Sequence, residues 1–558
     1  KPPRIVLFVK LCQFDSMSVS SDPSAACAAC AVQIVSLGSE DDDHAFNLNE
    51  EALTAVLNKA PSNRKVSVIS CVGAFRSGKS FLLSNFLRYL RYYEVDEKTG
   101  DVKSRDEGGE KWYTTGGKLS ENDRFEWRGG SERHTTGIWI WSHPFTLRGA
   151  NGELLSVYVV DTQGLFDNET TMSLTASIFG LSTLLSSYSI YNVAKQISED
   201  SLQHLALFSE YGRTASDLGG DGDKKAEKTK PFQKLEFLVR DWQNFEVEDP
   251  STEDDFAEME ASMNSYIQSV IADRDAVDLK ETREQIATCF EKVDAFLLPH
   301  PGLEVTKKKY DGDPAKVDPT FMALLDRYCG KVFSSELEPK RINGRYLTAP
   351  ELCEYIKAYA AIFSSGKDFP AATTLLAATA AASNNNAKRI SVEKYKSEMD
   401  NLAGPNVQVY HQPEELSKHH NATRDASLTL FDSIATFGSS APIMQAKAEV
   451  KSSVEEAYEV YVSLNSSRNP LAGFETYVLP CIVAVSSYIL RTIVDLSCTS
   501  WSQTCKASSD VLGQVTSVIL LFLLIVAATK AKLISARFNQ VKSALMVMAP
   551  PTSDKKNS

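Results

Sequence analysis

The stretch "GAFRSGKS" at residues 73–80 lies between the apolar run "VSVISCV" (66–72) and the helical pattern "SFLLSNFLRYLRYY" (80–93). Two glycines, a lysine and a serine at this spacing, with a strand before them and a helix after them, predict a phosphate-binding loop. The glycines let backbone N–H groups converge on phosphate oxygens at a helix N-terminus. We therefore expect Lys79 to bridge the β- and γ-phosphates of a nucleotide and the Ser80 hydroxyl to bind Mg²⁺.

A second motif, "VYVVDTQGL" (157–165), supplies the acid and the phosphate sensor that such a loop needs. An apolar strand ends at Asp161, and Gly164 follows in a D-x-x-G arrangement. We expect Asp161 to reach Mg²⁺ through water and the Gly164 N–H to touch the γ-phosphate.

A pair of threonines between these motifs, Thr135 and Thr136, precedes the apolar run "GIWIW" (137–141). A switch threonine at this place would coordinate Mg²⁺ only while the γ-phosphate is present. We predict Thr135 as the ligand, with Thr136 as the alternative. Because three elements occur in the correct order, the sequence predicts binding of a nucleoside triphosphate.

The base-reading residues are predicted from "LEFLVRD" (235–241), since the usual N/T-K-x-D does not stand at the end of a downstream strand. Asp241 would accept hydrogen bonds from guanine N1–H and N2–H₂, which adenine does not offer. Arg240 would pack its planar group beside the base. An ordinary surface ion pair at a strand end is the alternative for these two residues.

Short apolar runs alternate with helical patterns from about residue 32 to 301, which predicts a doubly wound, mostly parallel sheet. We expect an α/β P-loop GTPase domain at 45–310, with a solvated glycine-rich loop at 216–230. The remaining predicted elements are strands in "LLSVYVVD" (154–161) and "FLLPHPG" (296–302) and a helix in "EDSLQHLALFSEYG" (199–212).

Strand patterns fade after about residue 310 and helical spacing replaces them. We expect a linker at 311–345 and a helical middle domain at 346–467, built as a bundle of three or four helices.

Two uncharged stretches near the end of the chain predict a membrane hairpin at 474–529. The run 511–529 is long enough to cross a bilayer, although a buried core helix is the alternative. The run 476–490 is shorter and Arg491 interrupts it, so its full insertion is open. We expect a polar connection at 495–510.

The flanks of this hairpin predict its orientation. Positive-inside bias places the second flank in the cytosol, and two spans return the N-terminus there as well. The connecting loop either reaches the lumen, where Cys498 and Cys505 would be able to pair, or the first segment is tilted. The tail 530–558 shows one apolar helical stripe beside a basic face, which is typical of a helix on a bilayer surface, with packing on protein as the alternative. The flank's cations are Lys530, Lys532, Arg537 and Lys542.

The composition excludes some classes of protein. The net charge of −13 argues against nucleic acid as a partner. The ten cysteines are scattered, which suits a reducing compartment. The single C-x-x-C at Cys27 and Cys30 has no second pair at zinc spacing, so a zinc site is not expected. We expect a disordered leader at 1–44, rather than a signal peptide, or untranslated sequence before Met17.

Six stretches together resemble the atlastins, dynamin-related GTPases that fuse tubules of the endoplasmic reticulum. They are "GAFRSGKS", "WRGGSERHTTGIWIW", "VVDTQGLFD", "LQHLALFSEYGR", "FLVRDW" and "FLLPHPGL". The resemblance covers about 45 to 550 and implies GTP as substrate, Mg²⁺ as cofactor, a homodimer formed in trans across membranes, contact with the lipid bilayer and a multi-pass endoplasmic reticulum location with cytosolic termini. Guanylate-binding proteins share the RD motif but end in a soluble helical domain.

The resemblance also implies roles for single residues. Arg76 resembles an arginine finger supplied in cis, whose cation stabilises the transferring phosphoryl group, with a surface ion pair as the alternative. Leu165 stands where small GTPases often carry glutamine, so Ser77 or backbone carbonyls are expected to position the attacking water. The implied catalytic residues are Arg76, Lys79, Ser80 and Thr135. The implied nucleotide-binding residues are Gly73, Arg76, Ser77, Gly78, Lys79, Ser80, Phe81, Gly164, Arg240 and Asp241. The implied metal-binding residues are Ser80, Thr135 and, through water, Asp161.

Two other functions compete with this interpretation. One is a nucleotide-regulated scaffold that shapes membranes without fusing them. The other is a soluble GTPase of the guanylate-binding-protein type. An intact loop and an intact D-x-x-G argue against the first, and the hairpin argues against the second.

Overall fold

The computed structural model divides the chain into two compact units, Lys1–Ala382 and Ser383–Ser558. Each is described below by itself. The structure describes residues 29–37, 46–102, 111–114, 123–126, 135–165, 172–203, 205, 230–247, 250–272, 274–307, 309–365, 371–438, 440–469, 475–497 and 503–529.

The centre of the first unit is a sheet that has nine strands within the described residues, in the order β2-β1-β4-β6-β3-β7-β8-β9, with β5 on β6. The five strands from β6 to β9 in this order run parallel, and the pairings on the other side of β6 are antiparallel. The α/β class and the parallel core are thus confirmed. The strands are β1 (Ala31–Leu37), β2 (Phe46–Leu48), β3 (Val66–Gly73), β4 (Ile138–Trp141), β5 (Phe145–Arg148), β6 (Leu154–Thr162), β7 (Tyr188–Ala194), β8 (Phe232–Arg240) and β9 (Phe290–Leu297).

The central strands carry continuous apolar runs because both faces of the sheet are covered. Every residue of β3 is buried, and every residue of β6 except the first is buried or nearly so. Strands that are buried on both faces lose the alternation of polar and apolar residues that a half-exposed strand shows. The apolar runs therefore predicted these strands closely. The predicted bounds 66–72, 137–141 and 154–161 each differ from β3, β4 and β6 by a single residue at one end.

Two predictions about the sheet need correction. The last strand was predicted to begin at 296 and begins at Phe290. Its first half was missed because the exposed residues Glu291 and Lys292 interrupt the apolar pattern of a buried strand. The leader 1–44, predicted to be disordered, contains β1, which pairs with both β2 and β4. The rest of that leader, 1–28 and 38–44, lies outside the described residues.

The helices of the first unit surround this sheet. α7 begins at a cap in which the Asp318 side chain accepts from the backbone N–H groups of Thr320 and Phe321. Of the predicted helix at 199–212, the structure shows α4, and most of the remainder lies outside the described residues, as does the loop 216–229. The helices are α1 (Glu50–Leu57), α2 (Lys79–Tyr93), α3 (Met172–Leu185), α4 (Glu199–Gln203), α5 (Glu253–Ile271), α6 (Val277–Cys289), α7 (Pro319–Gly330) and α8 (Ala349–Ser365).

The predicted linker at 311–345 is folded rather than extended. It contains α7, a turn of π-helix at Lys331–Ser335 and the start of a small hairpin, β10 (Arg341–Ile342) with β11 (Arg345–Tyr346). α7 buries Leu324, Leu325 and Tyr328 completely. The segment is therefore part of the first unit, and its helical period was hidden in the sequence by flanking prolines and charges.

The predicted middle domain at 346–467 is divided by the structure. α8 belongs to the first unit, where it packs against α1, α3 and β2, and Phe46 lies 5.9 Å from Phe363 between ring centroids. The second unit begins inside the next helix, α9 (Ala372–Ala403). The pattern of an amphipathic helix shows that one face is buried, but it does not show in which core. The sequence alone therefore did not assign α8 to the first unit.

Three helices of the second unit share one hydrophobic core, so the smaller bundle of the two predicted is the one observed. They are the C-terminal part of α9, then α10 (Pro413–Ile434) and α11 (Ser440–Ser467). The residues at the centre of this core are Ala387, Tyr395, Met399, Ala403, Leu416, Phe431, Val450 and Val454.

Two further helices, α12 (Glu475–Ser497) and α13 (Gln503–Thr529), form the predicted hairpin. The connection is shorter than the predicted 495–510, because α12 continues to Ser497 and α13 starts at Gln503. The predicted pairing of Cys498 with Cys505 and the tail 530–558 lie outside the described residues.

The first of these helices also continues through Arg491, which the sequence interpretation treated as an interruption. The Arg491 guanidinium lies 3.7 Å from Asp495 on the same helix, and Ser509 of α13 donates to Asp495 at 2.6 Å. Gly513 makes room for the arginine, since a Cβ there would lie 2.7 Å from its Nη1. Pairing satisfies the charge locally, and this explains why one arginine does not end the helix.

Candidate nucleotide site

The loop 73–80 joins β3 to α2, as the motif predicts. Each of its two glycines is required for a different structural reason. A Cβ on Gly73 would lie 2.2 Å from the carbonyl oxygen of Asn192, so the neighbouring strand leaves no space for a side chain. Gly78 caps α2 with φ at 77°, a left-handed conformation that glycine adopts without strain. The loop therefore brings its backbone to the first turn of α2, where N–H groups are free to bind an anion.

Lys79 lies in the first turn of α2 with its side chain beneath the loop. Its ammonium donates to the carbonyl oxygens of Gly73 and Ala74, both at 3.1 Å. Burial lowers the pKa of Lys79, and the nearby Asp161 carboxylate opposes this shift. The side chain is thus held inside the curve of the loop, where a bound phosphate would provide its counter-charge.

The three residues predicted to bind metal are brought together by α2, β6 and the segment before β4. Ser80 Oγ donates to Asp161 Oδ2 at 2.5 Å and lies 3.3 Å from Thr135 Oγ1. Asp161 is 1% exposed, and burial raises its pKa to about 6, against the opposing effects of Ser80 and Lys79.

This set of oxygens fits Mg²⁺. The second carboxylate oxygen of Asp161, Oδ1, is buried and has no hydrogen-bond partner within the described residues. Hydroxyl and carboxylate oxygens are hard ligands, and Mg²⁺ in nucleotide sites typically takes few protein ligands and keeps its waters. In the part of the chain that the structure describes, no group of three or more His, Cys, Asp or Glu side chains forms an alternative metal site.

The neighbouring threonines have different surroundings. Thr135 lines the cavity above the loop. The Thr136 carbonyl accepts from Gln33 and Trp139, both at 2.8 Å, and its hydroxyl lies 3.4 Å from the Gln33 amide. This geometry favours Thr135 over Thr136 as the switch ligand.

Gln163 and Gly137 fix the segment that carries these threonines. The Gly137 N–H donates to the Gln163 side chain at 3.0 Å, and the Gln163 N–H donates back to the Gly137 carbonyl at 2.8 Å. Gln163 of "DTQG" therefore holds the segment that carries the threonines, a role that the spacing of the motif did not suggest.

The predicted base-reading pair follows β8 at the same edge of the sheet. Arg240 Nη1 lies 3.2 Å from Asp241 Oδ2, and Arg240 Nε donates to Asn192 Oδ1 at 2.8 Å. Asp241 has φ at 57°, a conformation that turns the chain sharply at the strand end. The ion pair predicted as the alternative is present, yet both residues also face the nucleotide cavity.

A cavity of about 350 Å³ connects these elements. Gly73 and Asp161 are not in its lining and lie beneath it. The predicted residues that line it are Arg76, Ser77, Gly78, Lys79, Ser80, Phe81, Thr135, Gly164, Arg240 and Asp241.

The cavity has a further wall that the sequence interpretation missed. It is formed by residues that follow β9, namely Leu298, His300, Pro301, Val305 and Thr306. Ligands of open α/β sheets bind outside the carboxyl ends of the strands. Applied to "FLLPHPGL", this rule would have found the wall, since that stretch was already recognised as a strand end and a turn.

Arg76 stands at the tip of the loop with φ at 58°. It is exposed and lines the cavity, and within the described residues it makes no ion pair or hydrogen bond. The surface ion pair considered as its alternative role is therefore not formed with any described residue.

Comparison with known proteins shows which family this chain is similar to. The guanylate-binding protein N-terminal domain family matches residues 43–341. Atlastin-1 of Macaca fascicularis is 33% identical over 458 residues, which cover 81% of this chain and 76% of that relative. Atlastin of Drosophila melanogaster is 35% identical over 472 residues, 84% of this chain and 81% of the relative. Atlastin-2 of Homo sapiens is 33% identical over 464 residues, 83% and 74% respectively.

The phosphate loop, the acid at the end of β6 and the RD pair thus lie in a domain of known kind. The stretches matched by these relatives, 458 to 472 residues long, extend beyond that domain. The chain belongs to the atlastin family of dynamin-like GTPases.

Proposed function

We propose that this GTPase is anchored in the endoplasmic reticulum membrane by the α12–α13 hairpin, with both termini in the cytosol. It binds GTP with Mg²⁺, pairs with a second copy on an opposing membrane, and uses hydrolysis to tether and fuse the two bilayers. The observation that carries this proposal is an exposed arginine at the mouth of the nucleotide site, unpaired among the described residues, in a chain that also has two helices long and apolar enough to cross a membrane.

The hairpin supports anchoring by its length and composition. The two candidate spans are Val478–Ser497, with a mean hydropathy of 1.6, and Lys506–Ile525, with 1.8. Their apolar side chains face outward, for example Leu479, which is 69% exposed, and Leu524, which is 67% exposed. A helix of about 20 such residues matches the hydrocarbon core of a bilayer, where these side chains would be solvated by lipid.

The residues of the site suggest how hydrolysis proceeds. Mg²⁺, held by Ser80 and Thr135 and through water by Asp161, would neutralise charge on the phosphates. The backbone N–H groups of the loop and the Lys79 ammonium would bind the phosphate oxygens and orient the γ-phosphoryl group for attack by water. Charge on the equatorial oxygens rises during the transfer, so donors fixed in advance stabilise the transition state.

Arg76 links this chemistry to pairing. In the single chain its side chain is exposed at the rim, so water competes for its charge. A second GTPase domain closing over the rim would exclude that water and press the guanidinium against the phosphoryl oxygens. Turnover would then depend on two domains meeting, and so on two membranes meeting.

Fusion of vesicles tests the proposal directly. The full chain is placed in two vesicle populations, one carrying a quenched lipid dye, and lipid mixing is followed with Mg²⁺ and GTP. We expect mixing with GTP and none with a non-hydrolysable analogue. Arg76→Ala should lose lipid mixing with GTP. Its matched control, Arg148→Ala at an exposed arginine of β5, should mix lipids normally.

The outcomes separate the competing functions. Hydrolysis and membrane remodelling without mixing would support the scaffold. Extraction of the chain from vesicles by carbonate would support a soluble GTPase. Either result would overturn the proposed fusion activity.

A further inference from the structure

Asn192, on β7, is buried between the phosphate loop and the RD pair. It is 1% exposed and lies on the strand between β3 and β8. Its backbone is paired with Gly73 on one side and with Leu238 on the other. No motif of the sequence drew attention to it, and it makes no part of the phosphate or metal chemistry described above.

The side-chain amide of Asn192 makes two kinds of bond. Its Nδ2 donates to the carbonyl oxygen of Ser77 at 2.9 Å and lies 3.2 Å from the Ser77 hydroxyl. Its Oδ1 accepts from Arg240 Nε at 2.8 Å. A carbonyl only accepts and a guanidinium only donates, so these partners fix which end of the amide faces which loop.

The partners belong to the two halves of the site. Ser77 is part of the predicted phosphate loop, and Arg240 belongs to the predicted base-reading pair; both line the nucleotide cavity. Both are bonded to one side chain that is 1% exposed, on a strand that is paired on both sides. A shift of Arg240 would therefore be passed through this amide to Ser77.

We propose that Asn192 is a positioning residue that couples recognition of the base to the geometry of the phosphate loop. Through Arg240 it holds the base-reading pair, and through Ser77 it holds the loop that surrounds the γ-phosphate. This proposal rests on the assignment of Arg240 and Asp241 as the base-reading pair.

Two substitutions separate the two arms. Asn192→Ala removes both bonds. Asn192→Asp has the same shape and keeps an oxygen for Arg240, but it places a second oxygen against the Ser77 carbonyl in place of a donor. Hydrogen bonds to a charged group contribute more than neutral ones, so the Arg240 arm should dominate ground-state binding of the correct base.

The test is steady-state hydrolysis by the full chain in detergent micelles with GTP and, separately, with ATP. For Asn192→Ala we expect the KM for GTP to rise about tenfold and the preference for GTP over ATP to fall by a similar factor, together with a lower kcat. For Asn192→Asp we expect a lower kcat with the base preference kept. A residue that only stabilised the fold would not change the ratio between two nucleotides.

Asn465→Ala is the matched control. Asn465 is also a buried asparagine with both ends of its amide bonded, to the backbone N–H and carbonyl of His411, but it lies in the second unit. Its loss should lower stability and leave KM and base preference unchanged. If Asn192→Ala does not fold, Asn192→Asp still decides the matter, since an unchanged kcat in that variant overturns the coupling.

Asp241→Asn distinguishes a failure of this inference from a failure of its premise. That variant should weaken GTP and favour xanthosine triphosphate. If it does so while Asn192→Ala keeps the full preference for GTP, Asn192 does not position the pair and the inference is wrong. If Asp241→Asn leaves GTP unaffected, the pair does not read the base, and the assignment and the coupling fall together.

Discussion

The two compact units treat their buried polar groups in different ways. In the first unit, the buried charged groups of Lys79 and Asp161 lie at one cavity, Lys79 in its lining and Asp161 beneath it, and Asp161 Oδ1 is left without a partner among the described residues. In the described part of the second unit, no Asp, Glu, Lys or Arg side chain is fully buried, and buried tyrosines bond within the bundle, as in Tyr395 with the buried His420 at 2.8 Å and Tyr461 with the exposed Asp400 at 2.8 Å.

This difference shows which unit is built to receive a ligand. A buried charge costs free energy unless it is paired, and a fold retains one where a bound ion or substrate completes its partners. Hydrogen bonds within a bundle fix its helices instead. The first unit therefore contains the candidate nucleotide site, and the second unit supplies a helical scaffold.

Arg76→Ala should have the largest effect and would sharpen the comparison on the side of the first unit. An arginine that reaches the transferring phosphoryl group contributes about 10³-fold or more to kcat. We expect GTP turnover at high protein concentration to fall by that order, with nucleotide affinity of the monomer unchanged, as measured by phosphate release and by titration with a fluorescent nucleotide. Unchanged turnover would show that Arg76 stays at the surface throughout the reaction.

Phe431→Ala would break the second unit without touching the site. Phe431 is 0% exposed in the centre of the bundle, and loss of a buried phenylalanine ring costs about 3–5 kcal/mol. We expect faster hydrogen exchange in α9, α10 and α11, measured by mass spectrometry, with GTP affinity unchanged. Met444→Ala, at a side chain that is 67% exposed in the same bundle, should change exchange little. A loss of GTP affinity in Phe431→Ala would contradict the separation of roles.

His420 should give the smallest effect, a dependence of the second unit on pH. Burial lowers the pKa of His420 below the usual 6.5; Glu455, whose carboxylate lies 3.5 Å from Nε2, opposes this, and Arg424 reinforces it. The unfolded chain therefore binds more protons than the folded chain just below pH 6.5, so the free energy of unfolding falls as the pH decreases through that window.

The measurement is hydrogen exchange of the same helices at a pH of about 7.5 and about 5.5, the values lying on either side of the usual histidine pKa. His420→Gln should remove most of the loss on acidification. His419→Gln changes the neighbouring exposed histidine and should leave the loss of stability on acidification unchanged. If both variants keep the loss, another group is responsible for it.

The structure brings together those residues of the candidate site that are local in sequence, and their roles stay predictions. The loop 73–80 and the D-x-x-G at Asp161 are contiguous patterns, since each has to place several groups within one turn of chain. Asn192 was missed because a single asparagine in a strand has no pattern until neighbouring strands bring it between the phosphate loop and the RD pair. The wall that follows β9 was missed although "FLLPHPGL" ends a predicted strand, where ligands of open α/β sheets bind.

The fold shows the same limit. Buried strands such as β3 were found within a residue, whereas β1, α7 and α8 were assigned to a leader, a linker and the wrong unit. Arg491 was predicted to interrupt a membrane segment, since an unpaired charge is costly there, but Asp495 pairs with it and Ser509 donates to Asp495. Pairing of this kind depends on contacts that a single-residue pattern does not contain.

The sequence by itself determined the chemistry of this protein: a phosphate loop with its lysine and serine, an acid at the end of a strand, an RD pair and two apolar helices. These follow from local constraints, namely backbone geometry at glycine, the length of a bilayer span and the burial of central strands. The tertiary structure alone decided that Asn192 joins Ser77 to Arg240, that α8 belongs with the sheet, and that Arg76 stands exposed at the cavity mouth. Such facts depend on distances between strands and loops far apart in the chain, and packing sets those distances.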